Sequence, residues 1–320
     1  MTSEEVKIRI YNFYKKTTLG GLSDWVAGHG HIKAKDEIYR DSSKYDHLDE
    51  LGKNCLAFGT NSNTEYPDGE RLRIHNEFQS KQFKDLTNLD LDTLYFPKVC
   101  GFNGDEYGEF IIPPAAYRLG YYMSHMKKFC DKNDKQKKLI VEIGGGWGGL
   151  CNLALNNIPN ANYVIVDTPT TIPTLAYFLH KCGKRICLPN EYEEFNDSLF
   201  SNYDCVMMLP EQLRLVTECD YLASTACLPE LNWEIIDYYV GEIKRILPKR
   251  FYVDFTHRCN GKYLSDKLNE LSEVGYEKIL HQQTPINCYV PWVKAPEWEK
   301  EAEEIEERIY EINRESTKGK

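Results

Sequence analysis

The sequence predicts an α/β fold: a mostly parallel sheet with helices on both faces, preceded by a mainly helical and irregular N-terminal segment and followed by a C-terminal helix. Three observations predict it. From residue 139 onward, short apolar runs alternate with longer amphipathic stretches, which is the pattern of repeated strand–helix units. Residues 139–149, Leu-Ile-Val-Glu-Ile-Gly-Gly-Gly-Trp-Gly-Gly, carry an apolar run into five glycines, and a helix-like run from Leu150 to Ile158 follows. A second apolar run, Tyr163-Val164-Ile165-Val166, then ends in Asp167. This is the layout of a strand–turn–helix nucleotide site, with the glycines allowing a tight turn and close backbone approach to a ligand.

The leading segment comes first. Thr2-x-x-Glu5 reads as a capping box, and Val6, Ile10, Phe13 and Tyr14 follow at helical spacing, so residues 3–16 form a helix. Leu19-Gly20-Gly21-Leu22 breaks it. Residues 23–110 are polar and aromatic with frequent turn signals (Gly28 to Gly30, Pro67-Asp68-Gly69, Asn103-Gly104-Asp105) and read as irregular with short helices. A helical stripe returns over 115–130 through Ala116, Leu119, Met123, Met126 and Phe129. Asp131 to Lys138 holds only charged and amide residues and reads as a linker.

The core follows. Strands are expected at 139–143, 162–167, 203–209, 220–225 and 251–256, with Ile186-Cys187-Leu188 a weaker one. Helices are expected at 149–158, 170–182, 231–246 and 262–273. Cys288 to Val293 reads as a late strand. Glu297 to Arg314 reads as a charged helix with Trp298, Ala302, Ile305, Ile309 and Ile312 on one face. That stripe suits docking onto the body or onto a partner chain, which leaves a homo-oligomer open. The domain reading is therefore an N-terminal acceptor-binding segment at 1–130, a Rossmann-like domain at 131–296, and a charged C-terminal helix and tail at 297–320.

Composition bounds the function. Of 320 residues, 28% are charged and 42% apolar, as in an ordinary soluble globular protein. No apolar run approaches the roughly 20 residues that cross a bilayer, and the N-terminus is acidic and polar, unlike a signal peptide. Membrane insertion is not expected, and the cytoplasm is the default location. The eleven cysteines are odd in number and form no C-x-x-C pair, which argues for reduced, mostly buried thiols and against a metal site. A net charge of −10 works against a nucleic-acid partner. The 22 tyrosines and 5 tryptophans suit sites for sugars, where a ring face stacks and a polar tip hydrogen-bonds.

Gly144, Gly146 and Gly149 formally satisfy the dinucleotide fingerprint G-x-G-x-x-G. Glu142 tips the reading away from it. Dinucleotide sites usually carry an apolar residue there, since a pyrophosphate lies close by. A carboxylate suits a cationic ligand such as S-adenosylmethionine. Glu142-Ile143-Gly144-Gly145-Gly146-Trp147-Gly148 resembles the acid-x-G-x-G-x-G motif of Rossmann-like methyltransferases, and the resemblance implies S-adenosyl-L-methionine as cofactor.

Over residues 110–256 the chain also resembles the sugar O-methyltransferases of bacterial polysaccharide loci. The features that carry this are ordered. Ile112-Pro113-Pro114 leads into Tyr117-Arg118-Leu119-Gly120-Tyr121-Tyr122. Val141 to Leu150 and Asn160 to Pro169 follow, then Met208-Leu209-Pro210-Glu211-Gln212-Leu213 and Ser224-Thr225-Ala226-Cys227-Leu228-Pro229-Glu230-Leu231. In the last motif Leu231 stands where the family more often has Met, and Cys227 departs from its Ser. The resemblance implies methylation of a carbohydrate or nucleotide-sugar hydroxyl.

Ligands in open α/β sheets bind beyond the carboxyl ends of the strands, where Glu142, Asp167, Glu211, Gln212 and Thr225 to Glu230 are expected. Asp167 would hold the ribose, Glu211 or Gln212 would edge the adenine or ribose, and the backbone from Gly144 to Gly148, with Gly144, Gly145 and Gly146 in the cofactor-binding set, would pack on the methionine portion. Thr225 completes the cofactor-binding set. A sugar hydroxyl is a weak acid, so a general base is expected. Glu230 and His257 are the candidates, with His281 a third. Catechol-type enzymes hold magnesium near the fourth and fifth strands; here Asp220, Glu230 and Asp254 occur without an Asp–Asn pair, so no metal is expected. The alternatives are a methyltransferase of a phosphate derivative, phenol or amine, a non-catalytic cofactor-binding scaffold, and a nicotinamide oxidoreductase.

Overall fold

The computed structural model describes residues 1–17, 39–51, 69–102, 104–113, 115–131, 136–256, 260–285 and 305–313. The leading segment contains α1 (Ser3–Lys16), α2 (Gly69–Thr87), a small sheet of β1 (Phe96–Pro97), β2 (Asp105–Tyr107) and β3 (Phe110–Ile112), and then α3 (Ala115–Asp131). The core runs β4 (Lys138–Ile143), α4 (Gly149–Asn157), β5 (Ala161–Val166), α5 (Ile172–Lys181), β6 (Ile186–Cys187), α6 (Leu199–Asn202), β7 (Cys205–Met208), β8 (Tyr221–Thr225), α7 (Trp233–Ile246), β9 (Arg250–Thr256), α8 (Gly261–Asn269), β10 (Tyr276–Gln283) and β11 (Ile305–Ile312).

The large sheet has the order β10-β11-β9-β8-β4-β5-β7-β6. Its strands from β6 to β9 pair in parallel, whereas β11 is antiparallel to both β9 and β10. Both faces are covered, and the period of two along each strand sorts the side chains. Ile140, Tyr163, Ile165, Tyr221, Ala223 and Tyr252 face a cluster with α1, α3, α4 and α5. Val141, Ile143, Val164, Val166, Leu222 and Val253 face one with α7 and α8. Strands buried on both faces read as continuous apolar runs, which is why β4, β5, β7 and β8 are visible in the sequence. The fold is therefore the predicted α/β class. Among the described residues no helix is long and apolar enough to cross a membrane.

Helix α1 starts as read: Thr2 Oγ1 accepts from Glu5 N at 3.2 Å while Glu5 Oε2 accepts from Thr2 N at 2.6 Å. Its Arg9 donates to Glu191 at 2.7 Å and to the Ile186 carbonyl at 3.0 Å, so it caps the outer edge strand β6.

Two expectations are corrected. Helix α2 is 19 residues long, where only short helices were expected in this region. The C-terminal helix expected over 297–314 is overturned within the described residues: Ile305–Ile312 is a strand, inserted between β9 and β10. The Ile305, Ile309, Ile312 spacing fits a helix, but Glu307 and Arg308 are buried too. The strand tolerates them because both are satisfied. Glu307 accepts from Tyr121 at 2.7 Å, Tyr252 at 2.8 Å and Gln282 at 2.6 Å. Arg308 donates to Ser265 and Tyr310. Buried charge with full hydrogen bonding inverts the pattern that periodicity reads. The stretch 297–304 and the strand expected at Cys288 to Val293 lie outside the described residues.

Candidate active site

Strand order reverses at β4. The chain passes from β4 to β5 on one side, and β8 later returns to its other side. A crevice between diverging connections at the carboxyl ends is the expected ligand position in such a sheet. The glycine loop lies there. Gly144, Gly146 and Gly148 have φ of +81°, +54° and +89°, a region that costs any residue with a Cβ. A Cβ on Gly144 would meet Cys227 Sγ at 2.3 Å, and one on Gly145 would meet Ile165 Cγ2 at 2.4 Å. Gly146 differs: a Cβ there meets nothing within 4 Å. Two glycines thus pack against protein, and the third turns its bare side to open space.

Asp167 follows β5 and closes on this loop. Its Oδ2 accepts from Gly146 N at 2.9 Å and its Oδ1 from Thr168 N at 2.7 Å. The carboxylate therefore stands beside the loop glycine whose bare side meets no atom within 4 Å. These two backbone bonds fix the orientation of the carboxylate at the loop.

Glu142 lies at the carboxyl end of β4, where the sequence reading puts it, but its side chain is buried. It is 1% exposed, on the face shared with Tyr163, whose hydroxyl donates to it at 3.0 Å. Burial raises its pKa to about 8, the Tyr163 bond opposes that rise, and the field of Asp167 adds to it. Glu142 is thus mostly neutral at pH 7 beneath the loop, where the sequence suggested an ionised carboxylate. A cation approaching the crevice would pull it back toward the charged form.

Glu211 and Gln212 lie in a 3₁₀ turn, Pro210–Leu215, just past β7 and so beside the tip of β5. The Gln212 amide is engaged at both ends: its Oε1 accepts from Leu209 N at 2.9 Å and its Nε2 donates to Pro189 O at 3.0 Å. It braces two loops at the rim, and Glu211 stays half-buried next to it. Thr225 is half-buried at the tip of β8, level with Asp254 of β9. The chain then turns through Ala226 and Cys227 into a short 3₁₀ turn, Leu228–Glu230, that leaves Glu230 exposed.

The structure thus brings the Gly144–Gly146 loop, Asp167, Thr225 and the 226–230 turn together around the end of β4. His257 lies outside the described residues. His281 sits on the edge strand β10, four strand positions from β4, or about 19 Å at ~4.8 Å per strand. Its Nε2 is 2.7 Å from a Glu306 carboxylate oxygen, a contact at the sheet edge, away from the crevice.

Two residues here were not singled out from sequence, and a third was read there only against a metal. Tyr163 holds Glu142; the signal was a polar-tipped ring on the strand next to a buried acid. Trp147 anchors the glycine loop, with ring centroids 4.8 Å from Phe178, 4.9 Å from Phe102 and 5.4 Å from Phe96. Through Phe96 and Phe102 the leading segment packs directly on the loop. Asp254 had been weighed only as a metal ligand. It is 1% exposed, and burial raises its pKa from the ordinary carboxylate value.

The sequence matches no protein-family model and no curated protein. Its structure is similar to several solved ones. A TehB-like SAM-dependent methyltransferase from Corynebacterium glutamicum matches at 14% identity and a TM-score of 0.38, over 58% of this chain and 86% of that one. The methyltransferase domain of bacterial CtHen1-CN matches at 11% identity and a TM-score of 0.42, over 61% and 97%. Precorrin-6y C5,15-methyltransferase from Geobacter metallireducens matches at 13% identity and a TM-score of 0.35, over 59% and 88%.

Proposed function

We propose that this chain is an S-adenosylmethionine-dependent O-methyltransferase acting on a sugar hydroxyl. One observation carries the cofactor reading: the Gly146 backbone, open on its bare side, lies 2.9 Å from the Asp167 carboxylate at the point where strand order reverses. This is a cradle for a ribose and its attached chain. Glu142 supports a cationic ligand over a pyrophosphate, because a buried acid poised near neutrality gains from a nearby positive charge and would be penalised by an anion.

The cofactor supplies a methyl group made electrophilic by its sulfonium. The chain's own residues have three tasks: to align an acceptor oxygen with that methyl, to exclude water and to take a proton. Glu230 stands exposed on the turn beyond β8, and it is the residue assigned to the proton. The carbohydrate acceptor is supported by the leading segment. It is rich in Tyr, Trp, Asn, Asp and His, and it reaches the glycine loop through the Trp147 contacts.

Calorimetry with S-adenosylmethionine tests the cofactor. Asp167→Ala should lose on the order of 1–3 kcal/mol of binding, the worth of charge-assisted hydrogen bonds. Unchanged affinity in a folded Asp167→Ala variant would refute the ribose assignment. For the acceptor, Glu230→Gln should slow methylation of a glycan or nucleotide-sugar roughly 10²–10⁴-fold with cofactor affinity intact. Turnover confined to a phenol, amine or phosphate derivative would overturn the sugar assignment.

A further inference from the structure

The turn that carries Glu230 begins at a strained residue. Ala226 has φ +52°, a left-handed conformation that a residue with a Cβ keeps only where its surroundings impose it. Asp254 imposes it. Its Oδ1 accepts from Ala226 N at 2.7 Å. Its Oδ2 accepts from the Tyr122 hydroxyl of α3, and the field of Arg118, on the same helix, favours its charged form. The consequence appears one residue later. Cys227 is directed onto Gly144, so that its Cβ and Sγ fill the space that a Cβ on that glycine would need. The contacts thus run unbroken from α3 of the leading segment, through Asp254, Ala226 and Cys227, to the first glycine of the loop.

We propose that Asp254 is a positioning residue: it clamps Ala226 in its left-handed conformation and thereby sets the 226–230 turn and the glycine loop against each other. The inference rests on reading the crevice as the S-adenosylmethionine site, and it gives that site a mechanical link to the acceptor-side helix. The link makes no use of the Asp254 charge in chemistry. What matters is its acceptor geometry toward Ala226, and asparagine keeps that part: the amide oxygen can still accept from Ala226 N, although the Tyr122 hydroxyl loses its acceptor and Arg118 the carboxylate charge.

The test compares wild type with Asp254→Ala, Asp254→Asn, Ala226→Gly, the Asp254→Ala/Ala226→Gly double variant and Ala226→Val. Two readouts are taken on the full chain: calorimetric binding of S-adenosylhomocysteine, and amide hydrogen exchange at 144–148 and 226–230. Asp254→Ala should weaken binding about tenfold or more and speed exchange in both segments. Asp254→Asn, which keeps the acceptor for Ala226 N, should bind and exchange closer to wild type than Asp254→Ala. Adding Ala226→Gly to Asp254→Ala should restore both readouts, because glycine takes this φ without a clamp. Should Asp254→Ala fail to fold, Ala226→Val perturbs the same turn with Asp254 intact and should show the same loss, since a β-branched residue is excluded from this region. The proposal is overturned if glycine brings no recovery, or if Ala226→Val binds and exchanges as wild type. If wild type itself does not bind S-adenosylhomocysteine, the cofactor reading fails, and the exchange data still judge the clamp.

Discussion

Replacing Gly144 and Gly146 separately by alanine tests the site through two neighbours with opposite surroundings. Each substitution places a Cβ at positive φ, which costs about 1–2 kcal/mol. The less flexible unfolded chain returns about 0.4–1 kcal/mol. For Gly146→Ala nothing else changes in the folded protein, since the new Cβ meets no atom within 4 Å; the net loss is about 1 kcal/mol. At about 2.1 cal/mol/K per residue, a chain of 320 residues melts with an entropy of about 0.7 kcal/mol/K, so that loss lowers Tm by about 1.5 °C. Gly144→Ala adds contacts of 2.3 Å to Cys227 Sγ and 2.4 Å to its Cβ. Overpacking of this kind costs about 1–3 kcal/mol more, for a fall of about 3–6 °C. Scanning calorimetry measures the melting, and titration with S-adenosylhomocysteine measures affinity. Gly146→Ala should melt near wild type yet bind at least about tenfold more weakly, because its Cβ takes space the ligand needs. Wild-type affinity in Gly146→Ala would refute the assignment of the open side of Gly146 to the ligand. Equal melting of the two variants would refute the packing argument.

Two further outcomes follow from the same geometry. Burial raises the folded pKa of Glu142 from the ordinary carboxylate value of 4.5 to about 8, so between those values the folded state holds a proton that the unfolded state has lost. This contribution to stability is full below about pH 4.5 and is lost as pH rises toward 8, at up to about 1.4 kcal/mol per pH unit. Glu142→Gln should therefore gain on wild type as pH rises through that window, and parallel melting-versus-pH curves would contradict the buried neutral acid. Trp147→Ala removes a buried ring that contacts Phe96, Phe102 and Phe178. It should cost about 3–5 kcal/mol and lower Tm by about 4–8 °C; a fall under 2 °C would mean that the leading segment does not depend on this anchor.

The parts of the fold that could be read from sequence are those where a single physical rule dominates. Strands β4, β5, β7 and β8 are buried on both faces and appear as largely apolar runs. Helix α1 carries its capping box in plain view, and α7 shows a stripe through Ile235, Ile236, Tyr239, Val240 and Ile243. The glycine loop and Asp167 were visible because glycine alone takes such φ values without strain and because an acid rarely ends a buried strand without a task. What stayed hidden depends on contacts between segments distant in sequence. Helix α2 has a polar average composition and few apolar positions to mark its face. Strand β11 buries Glu307 and Arg308 only because Tyr121, Tyr252, Gln282 and Ser265 come to meet them. The burial of Glu142 needs Tyr163 across the sheet, and the task of Asp254 needs Tyr122 and Ala226. No local spacing encodes such pairs.

The position of β11 also fixes the order in which the sheet can be assembled. Within the described sheet β10 pairs only with β11, and β9 offers the edge that β11 fills. During synthesis the whole parallel part of the sheet, from β4 to β9, emerges from the ribosome before Ile305 does. Until then β9 presents an unpaired backbone edge, and the hydroxyls of Tyr121 and Tyr252 wait for Glu307. A nascent chain halted before that residue carries a template for strand addition by a neighbour. Late closure makes this segment the latch of the domain. Chains truncated at about residue 300 should collect in aggregates, even though every residue of the glycine loop and of the β8 turn is present in them.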